Sequence, residues 1–389
     1  MAVRANKPAF NIREKLKELT SKFGLKGTEL ARAETVQDAR DLVSAGRKNI
    51  IINGDMKIAQ RGTSGTGSGY TSVDRFKLTT SSADVTLSQG SLTSGSPYDK
   101  GFRNFVRVTN TSTTTATNGY RELDYRVEAQ DLANSGWVIS NPNSYATLSF
   151  WVRSSVSQRF YMYIRCADGT AKSYTFPFDT IANTWVKVEQ TIPGDPTLTV
   201  NNDNGLGLLL RFVVHYGTNY TGTSATNNIW RVTGSDYSQD MSTLFALTTG
   251  ATFDVTGVQL EVGKNATEFE HRSYGEELAL CQRYYQKFQT SYRMVNAYPN
   301  VSLSSGDMIP SFPFPVQMRT APTMSPTTVT TTFDKWNATG SLSKEIRAIT
   351  DYTQWNFQYY ASDNSNTNLT SGGYHRGVTT ESFAFSAEL

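Results

Sequence analysis

The segment GLLLRFVVHY (residues 207–216) indicates the fold class of this chain, because it has the apolar, β-branched character of a strand inside a sandwich. Three other segments have the same strand-like pattern: TLSFWVR (147–153), RFYMYIR (159–165) and TWVKVEQTI (184–192). Gly, Asn, Ser and Thr turns separate such short strands from about residue 48 to about residue 270. This pattern predicts one large β-sandwich of about two hundred residues.

The composition agrees with a mainly β protein. Only 18% of the 389 residues are charged, while aromatic residues make up 12%. The net charge of +3, from 37 basic and 34 acidic residues, gives no strong field to attract phosphates, so we expect no nucleic-acid partner. The first residues contain no apolar run of the length that a signal peptide or a membrane span needs, which predicts synthesis in a cytoplasm and no membrane insertion.

The N-terminal segment, residues 1–46, differs from the rest because it is rich in Lys, Arg, Glu, Leu and Ala. Within it, Ile12, Leu16, Leu19 and Phe23 have the spacing of one helical stripe. A helix of about three turns is marginal alone in water. We therefore expect it to pack on its own chain, on copies of itself or on another protein.

The rest of the chain divides into three predicted parts. Residues 47–272 form the sandwich, 273–288 form a connector helix with Ser273 as its N-cap and Glu276 at the capping-box position, and 289–389 form a small C-terminal β domain. The two cysteines, Cys166 and Cys281, are far apart and imply no disulfide framework, so we expect buried thiols.

Several segments together resemble tail-fibre and related virion proteins of tailed phages, particularly those of marine cyanobacteria. The N-terminal RANKPAFNIREKLKEL (4–19) and GTELARAETVQDARDLVSAGRKN (27–49) resemble their virion-attachment segment. NIIINGDMKIAQRGTS (49–64) with YTSVDRFKL (70–78) resembles the first strand of a jelly-roll domain of the carbohydrate-binding-module type. Residues 255–288 resemble its closing strand and exit helix, and residues 312–325 and 382–389 resemble the compact β domain that caps such fibres.

This resemblance implies a homotrimeric fibre in the virion. The N-terminal segment would attach to tail adaptor or nozzle proteins, and the C-terminal domain would be a tip that contacts a host-surface glycan or lipopolysaccharide. In related modules the first and closing strands can hold calcium. Here Asp55 is present, but Thr256 and Gly257 stand where an Asp pair is expected, so we predict no metal and no cofactor.

No motif for catalysis is evident, and we predict that the chain is not an enzyme. His215, His271 and His375 lack neighbours that would supply a nucleophile or a second ligand, and His271 is expected to cap or pack beside the exit helix. The acid pairs Asp236 with Asp240 and Glu276 with Glu277 fit solvated turns and a helix start better than a glycosidase centre.

The candidate ligand-binding residues combine aromatic rings with short polar side chains, because sugars offer C–H faces for stacking and hydroxyls for hydrogen bonds. They lie in the C-terminal domain and are Trp336, Trp355, Tyr360, Asp363, Asn364, Asn366 and His375. Core or trimer packing is the alternative for each ring. A second candidate surface is a groove on the sandwich lined by Trp137, Trp185 or Trp230, whereas Trp151 is as easily a core residue.

Two other functions remain open at this level. One is an architectural head or decoration fibre with the same domains but no receptor. The other is a polysaccharide depolymerase, which usually needs a long β-helical body with a carboxylate-lined groove. The absence of a fixed repeat in the sequence disfavours such a body.

Overall fold

The computed structural model describes residues 49–81, 85–288, 293–297, 311–325, 331–337, 340–361, 374–379 and 383–389. The predicted mainly β class and jelly-roll-type sandwich are confirmed, since two six-stranded antiparallel sheets enclose the core. Across the first sheet the strands are β1 (Ser64–Thr66), β3 (Val85–Ser91), β4 (Asn104–Asn110), β12 (Thr252–Val262), β6 (Tyr145–Ser154) and β9 (Val186–Pro193). Across the second they are β11 (Trp230–Val232), β8 (Lys172–Asp179), β7 (Arg159–Cys166), β10 (Leu206–Tyr216), β5 (Tyr120–Glu128) and β2 (Phe76–Thr80).

The core of the sandwich follows from the two-residue period of its strands. In β6, Phe150 and Val152 point inward, while Trp151 between them points outward. The ring of Phe150 meets Phe212 of β10 edge to face, with centroids 5.0 Å apart, so the two sheets touch through aromatic side chains. Burying one such side chain contributes about 1.5–3 kcal/mol to stability.

The opening segment, residues 49–63, is not a strand, contrary to the expectation for NIIINGDMKIAQRGTS. Asn53 and Met56 have φ angles of 60° and 61°, which a strand cannot accommodate. Hydrogen bonds from side chains take the place of the backbone hydrogen bonds of a paired strand. The Asn53 amide donates to the carbonyls of Ile58 and Asp74, both at 2.9 Å, and Asn49 Oδ1 accepts from Ile51 N at 3.0 Å. The segment is therefore a mostly buried, irregular loop rather than the first strand of the sandwich.

Four helices occur in the described part of the chain: α1 (Ser96–Asp99), α2 (Ala129–Ala133), α3 (Leu244–Leu247) and α4 (Tyr274–Gln282). In α4 the predicted cap is confirmed, because Ser273 Oγ accepts from the Glu276 backbone N–H at 3.3 Å. The helix ends at Gln282, however, and not at Phe288 as predicted. Residues Tyr285–Phe288 form strand β13 instead, because they pair with a strand that returns from the C-terminus, which local sequence does not reveal.

Two further sheets follow the sandwich. A small sheet contains β13 (Tyr285–Phe288), β21 (Phe383–Ser386) and β16 (Thr323–Ser325), in that order. A C-terminal sheet contains, in order, β14 (Arg293–Ala297), β20 (Tyr374–Thr379), β17 (Thr331–Asn337), β18 (Gly340–Tyr352), β19 (Asn356–Ala361) and β15 (Ser311–Pro313). The chain leaves the small sheet for the C-terminal sheet after β13 and after β16, and it returns to end in β21. The division into separate domains stays a prediction.

The last two residues pack against the sandwich. Glu388 forms ion pairs with Arg61 (3.1 Å) and with the fully buried Arg75 (2.5 Å), and the Leu389 carbonyl accepts from Arg126 at 2.7 Å. The guanidinium carbon of Arg75 also lies 3.4 Å from the centre of the Tyr284 ring. We call this contact between residues 388–389 and the sandwich the C-terminal clasp.

Cys166 and Cys281 are both free and buried, which confirms the expectation for the two thiols. Within the described ranges, no helix has the length and apolar character required to cross a lipid bilayer.

Candidate functional site

The outer face of the first sheet carries a cluster of aromatic side chains. Two strands flank Trp151 of β6, placing Thr256 of β12 on one side and Lys187 of β9 on the other. We call this cluster the aromatic face. Its members are Tyr98, Phe102, Phe105, Trp151, Trp185 and Phe269.

A cavity of about 150 Å³ lies on the aromatic face, and Trp151 forms part of its wall. Its walls combine apolar rings with hydroxyl and charged groups. The lining residues are Lys100, Phe102, Ser149, Trp151, Lys187, Gly257, Thr267, Glu268, Phe269 and His271.

Three rings form one wall of the cavity. The centroid of Phe102 lies 4.8 Å from that of Phe269 and 5.1 Å from that of His271, and the last two are 4.9 Å apart. His271 Nε2 is 2.9 Å from the Lys100 carbonyl, which anchors the imidazole on the loop that holds α1. The sequence predicts that His271 caps or packs beside the exit helix, whereas in the structure its ring packs on Phe102 and Phe269 and Ser273 caps the helix. Nothing in the sequence indicates that His271 lines a cavity.

Gly257 shapes the floor of the cavity. It has a φ of +63° and lies in an irregularity of β12 between the partners of Trp151 and Ser149. A Cβ atom at this position would stand 2.7 Å from Cζ of Phe102. Glycine is thus required both by the backbone conformation and by the close approach of the ring.

The charged groups at the rim are exposed. Lys100 lies 3.4 Å from Glu268, and the two side chains are 54% and 80% exposed. Lys187 lies 2.6 Å from Glu189 of the same strand. Such exposed pairs contribute little to stability, so their side chains are available to reorganise around a ligand.

Beside the cavity, two arginines share one buried carboxylate. Asp254 of β12 accepts two hydrogen bonds from Arg107 at 2.7 and 2.9 Å and two from Arg153 at 2.9 and 2.7 Å. These hydrogen bonds raise the pKa of the Arg107 guanidinium above its ordinary value. The guanidinium of Arg153 also lies 4.7 Å from the ring centre of Trp185, which connects this ion cluster to the aromatic face.

The outer face of the second sheet is covered by the chain itself. Tyr161, Tyr163 and Tyr216 are buried there, and Tyr220 and Tyr237 from the segment after β10 pack over them. The ring centroids of Tyr163 and Tyr237 are 5.3 Å apart. Tyr220 and Tyr237 are themselves half-buried, so the partly exposed rings of this face belong to the segment that covers it.

The structure distributes the predicted ligand-binding residues over the C-terminal sheet. Trp336 and His375 lie on the paired strands β17 and β20, where Trp336 is opposite Tyr374 and Lys335 is opposite His375. Trp355 lies in the turn between β18 and β19 and is 57% exposed. Trp336 pairs with Ser341 near the start of β18, whereas Trp355 follows the end of that strand at Tyr352. The eleven residue steps from Ser341 to Tyr352 span roughly 36 Å at about 3.3 Å each.

Tyr360 lies on β19, opposite Ala348 of β18. Because Trp336 and Trp355 lie at opposite ends of β18, they do not belong to one binding site. The ligand-binding role of each residue stays a prediction. The remaining predicted residues lie outside the described part of the chain. They are Asp363, Asn364 and Asn366 for ligand binding and Ile12, Leu16, Leu19 and Phe23 for attachment or oligomerisation.

Among the sandwich tryptophans, the predicted groove role fails for Trp137, which is only 4% exposed and belongs to the core. Trp230 packs against the core and donates from Nε1 to the Pro193 carbonyl at 2.7 Å. Trp185 does lie on the aromatic face, together with Trp151, for which the sequence left core and surface open. The alternation in TLSFWVR is the signal that separates Trp151 from Phe150, once one of them is known to be core.

Within the described ranges, no cluster of three or more His, Cys, Asp or Glu side chains is arranged to hold a metal ion. Asp55, the acid of the opening segment, pairs with Lys57 at 2.7 Å. The loop acids Asp236 and Asp240 accept hydrogen bonds from Ser224 and Thr221, at 2.5 and 2.9 Å.

No protein-family model matches the chain, and no curated protein matches it by sequence. Among solved structures, it is similar to the enzymatically active domain of tailspike protein 4 of bacteriophage CBA120, with 12% identity and a TM-score of 0.31. That match covers 55% of this chain but only 21% of the tailspike chain.

Two other solved structures are matched over their whole length. One is the CBM22-1 xylan-binding domain from Paenibacillus barcinonensis, with 11% identity over 57% of this chain and a TM-score of 0.28. The other is a cyclase from Fischerella sp. TAU, with 10% identity over 57% of this chain and a TM-score of 0.32. At these values none of the three indicates what this chain binds.

Proposed function

We propose that this protein is a non-catalytic, glycan-binding subunit of a bacteriophage tail fibre and that the cavity on the aromatic face is a glycan-binding site. The observation that carries the binding role is the half-buried Trp151 in the cavity wall, with Ser149, Thr267 and charged groups around it. Aromatic rings stack on the apolar faces of sugars, and hydroxyl, amine and carboxylate groups pair with sugar hydroxyls.

The chemistry of the cavity supports binding rather than hydrolysis. Glu268 is the one carboxylate among the lining residues, and its side chain is 80% exposed. Hydrolysis of a glycosidic bond generally needs two carboxyl groups at a defined separation. A fibre subunit of this kind retains its glycan without cleaving it.

The tail-fibre assignment rests on the sequence segments that resemble phage fibre proteins. A homotrimer would present three copies of the cavity, and several fibres per particle would raise the apparent affinity without new contacts. A weak site is then sufficient for reversible attachment to a host surface. The tip residues Trp355 and Trp336 provide a second candidate contact in the C-terminal sheet.

The binding experiment uses the full-length protein and a panel of host-surface polysaccharides, with affinity measured by calorimetry. We expect Trp151→Ala to abolish binding, because a stacked ring contributes a large part of the affinity of a shallow site. Trp230→Phe is the matched control, since Trp230 is a half-buried tryptophan elsewhere on the sandwich. Equal binding by wild type and Trp151→Ala would exclude this cavity as the site.

Assembly and location are tested separately. Light scattering on the full-length protein gives a mass three times 43.1 kDa if the subunit is a trimer, whereas a monomer contradicts the fibre proposal. Labelling the subunit on the particle distinguishes a tail fibre from an architectural head fibre. New reducing ends after incubation with the polysaccharide would indicate a depolymerase instead.

A further inference from the structure

We infer that the glycan bound at the aromatic face is acidic, and that Arg153 and Lys187 receive the carboxylate of a sugar whose ring stacks on Trp151 or Trp185. This inference rests on the proposed function and specifies its ligand class. It is carried by the arrangement of charge on the first sheet.

The first step is the unequal number of positive and negative charges at Asp254. Its carboxylate is 1% exposed and pairs with both Arg107 and Arg153, whose side chains are 35% and 27% exposed. Two guanidinium charges therefore face one carboxylate, and one positive charge remains at the surface. Each arginine uses Nε and Nη2 for Asp254, so the Nη1 edge of its guanidinium is available to a second acceptor.

The second step is the placement of these cations among rings. The guanidinium of Arg153 lies 4.7 Å from the Trp185 ring centre and 5.4 Å from that of Phe105, while that of Arg107 lies 5.1 Å from Phe105. Stacking on rings holds a guanidinium in a fixed orientation. The planar fork of donors is then preorganised for a carboxylate.

The third step is continuity with the cavity. Trp151 and Arg153 lie two residues apart on β6, so they point to the same side of the sheet at a spacing of about 7 Å. Lys187 is directly opposite Trp151, and Trp185 lies two residues before it. Cation and ring thus alternate on two neighbouring strands, which suits a sugar with one apolar face and one anionic substituent.

The charges at the Arg153 end of this face are unequal in number. The guanidinium groups of Arg107 and Arg153 face the single buried carboxylate of Asp254. A second buried acid of the face, Glu261, lies opposite Thr147 towards the other end of β12, where it accepts hydrogen bonds from the backbone N–H and Oγ1 of Thr267. An incoming carboxylate is therefore expected at the Arg153 end of the face rather than beside Thr267.

The experiment compares acidic sugars with neutral copies of themselves. The probes are short oligomers of galacturonate, mannuronate and N-acetylneuraminate, each also as its methyl ester, titrated into the full-length protein by calorimetry. At least one acid is expected to bind at least about tenfold more tightly than its ester, because a charge-assisted hydrogen bond is lost in the ester. Added salt should weaken binding of the acid more than that of the ester.

Two variants assign this preference to the aromatic face. Arg153→Lys retains the charge beside Asp254 but loses the planar fork and its stacking on Trp185, and Lys187→Gln removes the charge opposite Trp151. Each is expected to reduce the acid-to-ester ratio by about tenfold. Arg159→Lys is the matched control, because Arg159 makes an exposed two-bond pair with Asp179 on the second sheet.

The outcomes separate the two proposals. If acid and ester bind equally, the inference of an acidic ligand is overturned while the proposed glycan-binding function stands. A preference for acid that both variants retain also overturns it, since the carboxylate is then bound elsewhere. If neither these probes nor neutral host-surface polysaccharides bind, the proposed function itself is overturned.

Discussion

Glu388 and Arg75 form a buried ion pair across 313 residues of sequence, with Oε2 of Glu388 2.5 Å from Nη1 of Arg75. The Arg75 side chain is 1% exposed and that of Glu388 is 6% exposed. Arg75 also donates from Nη2 to the Arg126 carbonyl at 2.6 Å and stacks on Tyr284. The C-terminal clasp thus supplies the counter-charge of a buried arginine.

Glu388→Gln is expected to lower the free energy of unfolding by about 3 kcal/mol, because it leaves the buried charge of Arg75 without a counter-ion. Urea unfolding followed by tryptophan fluorescence measures this change. Glu268→Gln is the control, since Glu268 is 80% exposed and its pair with Lys100 should be worth less than about 0.5 kcal/mol. Equal losses in the two variants would contradict a stabilising role for the clasp.

His215 should make the stability depend on pH. Its side chain is buried, neither ring nitrogen has a hydrogen-bond partner among the described residues, and burial followed by the charge of Arg121 lowers the pKa of His215 to about 4. The unfolded imidazole has an ordinary pKa near 6.5 and so takes up a proton first as the pH falls. The free energy of unfolding is therefore unaffected by His215 protonation above pH 6.5. As the pH falls from 6.5 towards 4, it decreases by roughly 3 kcal/mol in total.

The measurement for His215 is the urea midpoint at pH 7 and at pH 4.5 for wild type and His215→Leu, which has no titrating group at this position. The variant is expected to lose less stability between the two pH values. His271→Leu serves as the comparison, because His271 is an exposed imidazole. An identical pH dependence in wild type and His215→Leu would show that His215 does not control it.

Gly257→Ala should close the cavity on the aromatic face. The added Cβ would stand 2.7 Å from Phe102, so the ring must shift, and the positive φ adds a backbone cost of about 1 kcal/mol. Gly250→Ala is the matched control, because Gly250 has a φ of +81° but no atom within 4 Å of the new Cβ. Both variants should lose a similar amount of stability, because alanine is strained at a positive φ. Only Gly257→Ala should also lose glycan affinity in the calorimetric titration.

The two thiols should be unreactive in the folded protein. Burial raises the pKa of Cys166 to about 11 and that of Cys281 well above its ordinary value, so little of the nucleophilic thiolate exists at pH 8. Titration with a chromogenic disulfide at pH 8 is expected to release almost no colour from the native protein and two equivalents in 6 M guanidinium. Rapid reaction of one thiol in the native state would show that its surroundings open readily.

The sandwich could be predicted because its signal is local. In segments such as TLSFWVR and GLLLRFVVHY, the strand period identifies β-forming stretches and places Phe150 and Trp151 on opposite faces, although only the structure shows which of the two is in the core. The end of α4 could not be predicted in this way. Tyr284 and Phe288 continue the helical spacing, but pairing of β13 with β21, almost a hundred residues later, overrides it.

The cavity was missed for the same physical reason. Its walls come from the loop around α1, from β6, β9 and β12, and from residues 267–271, so no segment contains more than a part of it. Trp151 and His271 are both candidate residues in the sequence, yet nothing local indicates that they line one cavity. The charge imbalance at Asp254 likewise appears only when β4 and β6 are known to flank β12.

The small sheet has a mechanical consequence. Phe288 of β13, Ser325 of β16 and Phe383 of β21 all lie at the end of the small sheet from which the chain runs to or from the C-terminal sheet. A force pulling on the C-terminal sheet would be divided among three strands instead of loading one linker. The force would reach the sandwich through the covalent connection to α4 and through the ion pair of Arg75 with Glu388, so residues 388 and 389 would carry part of it.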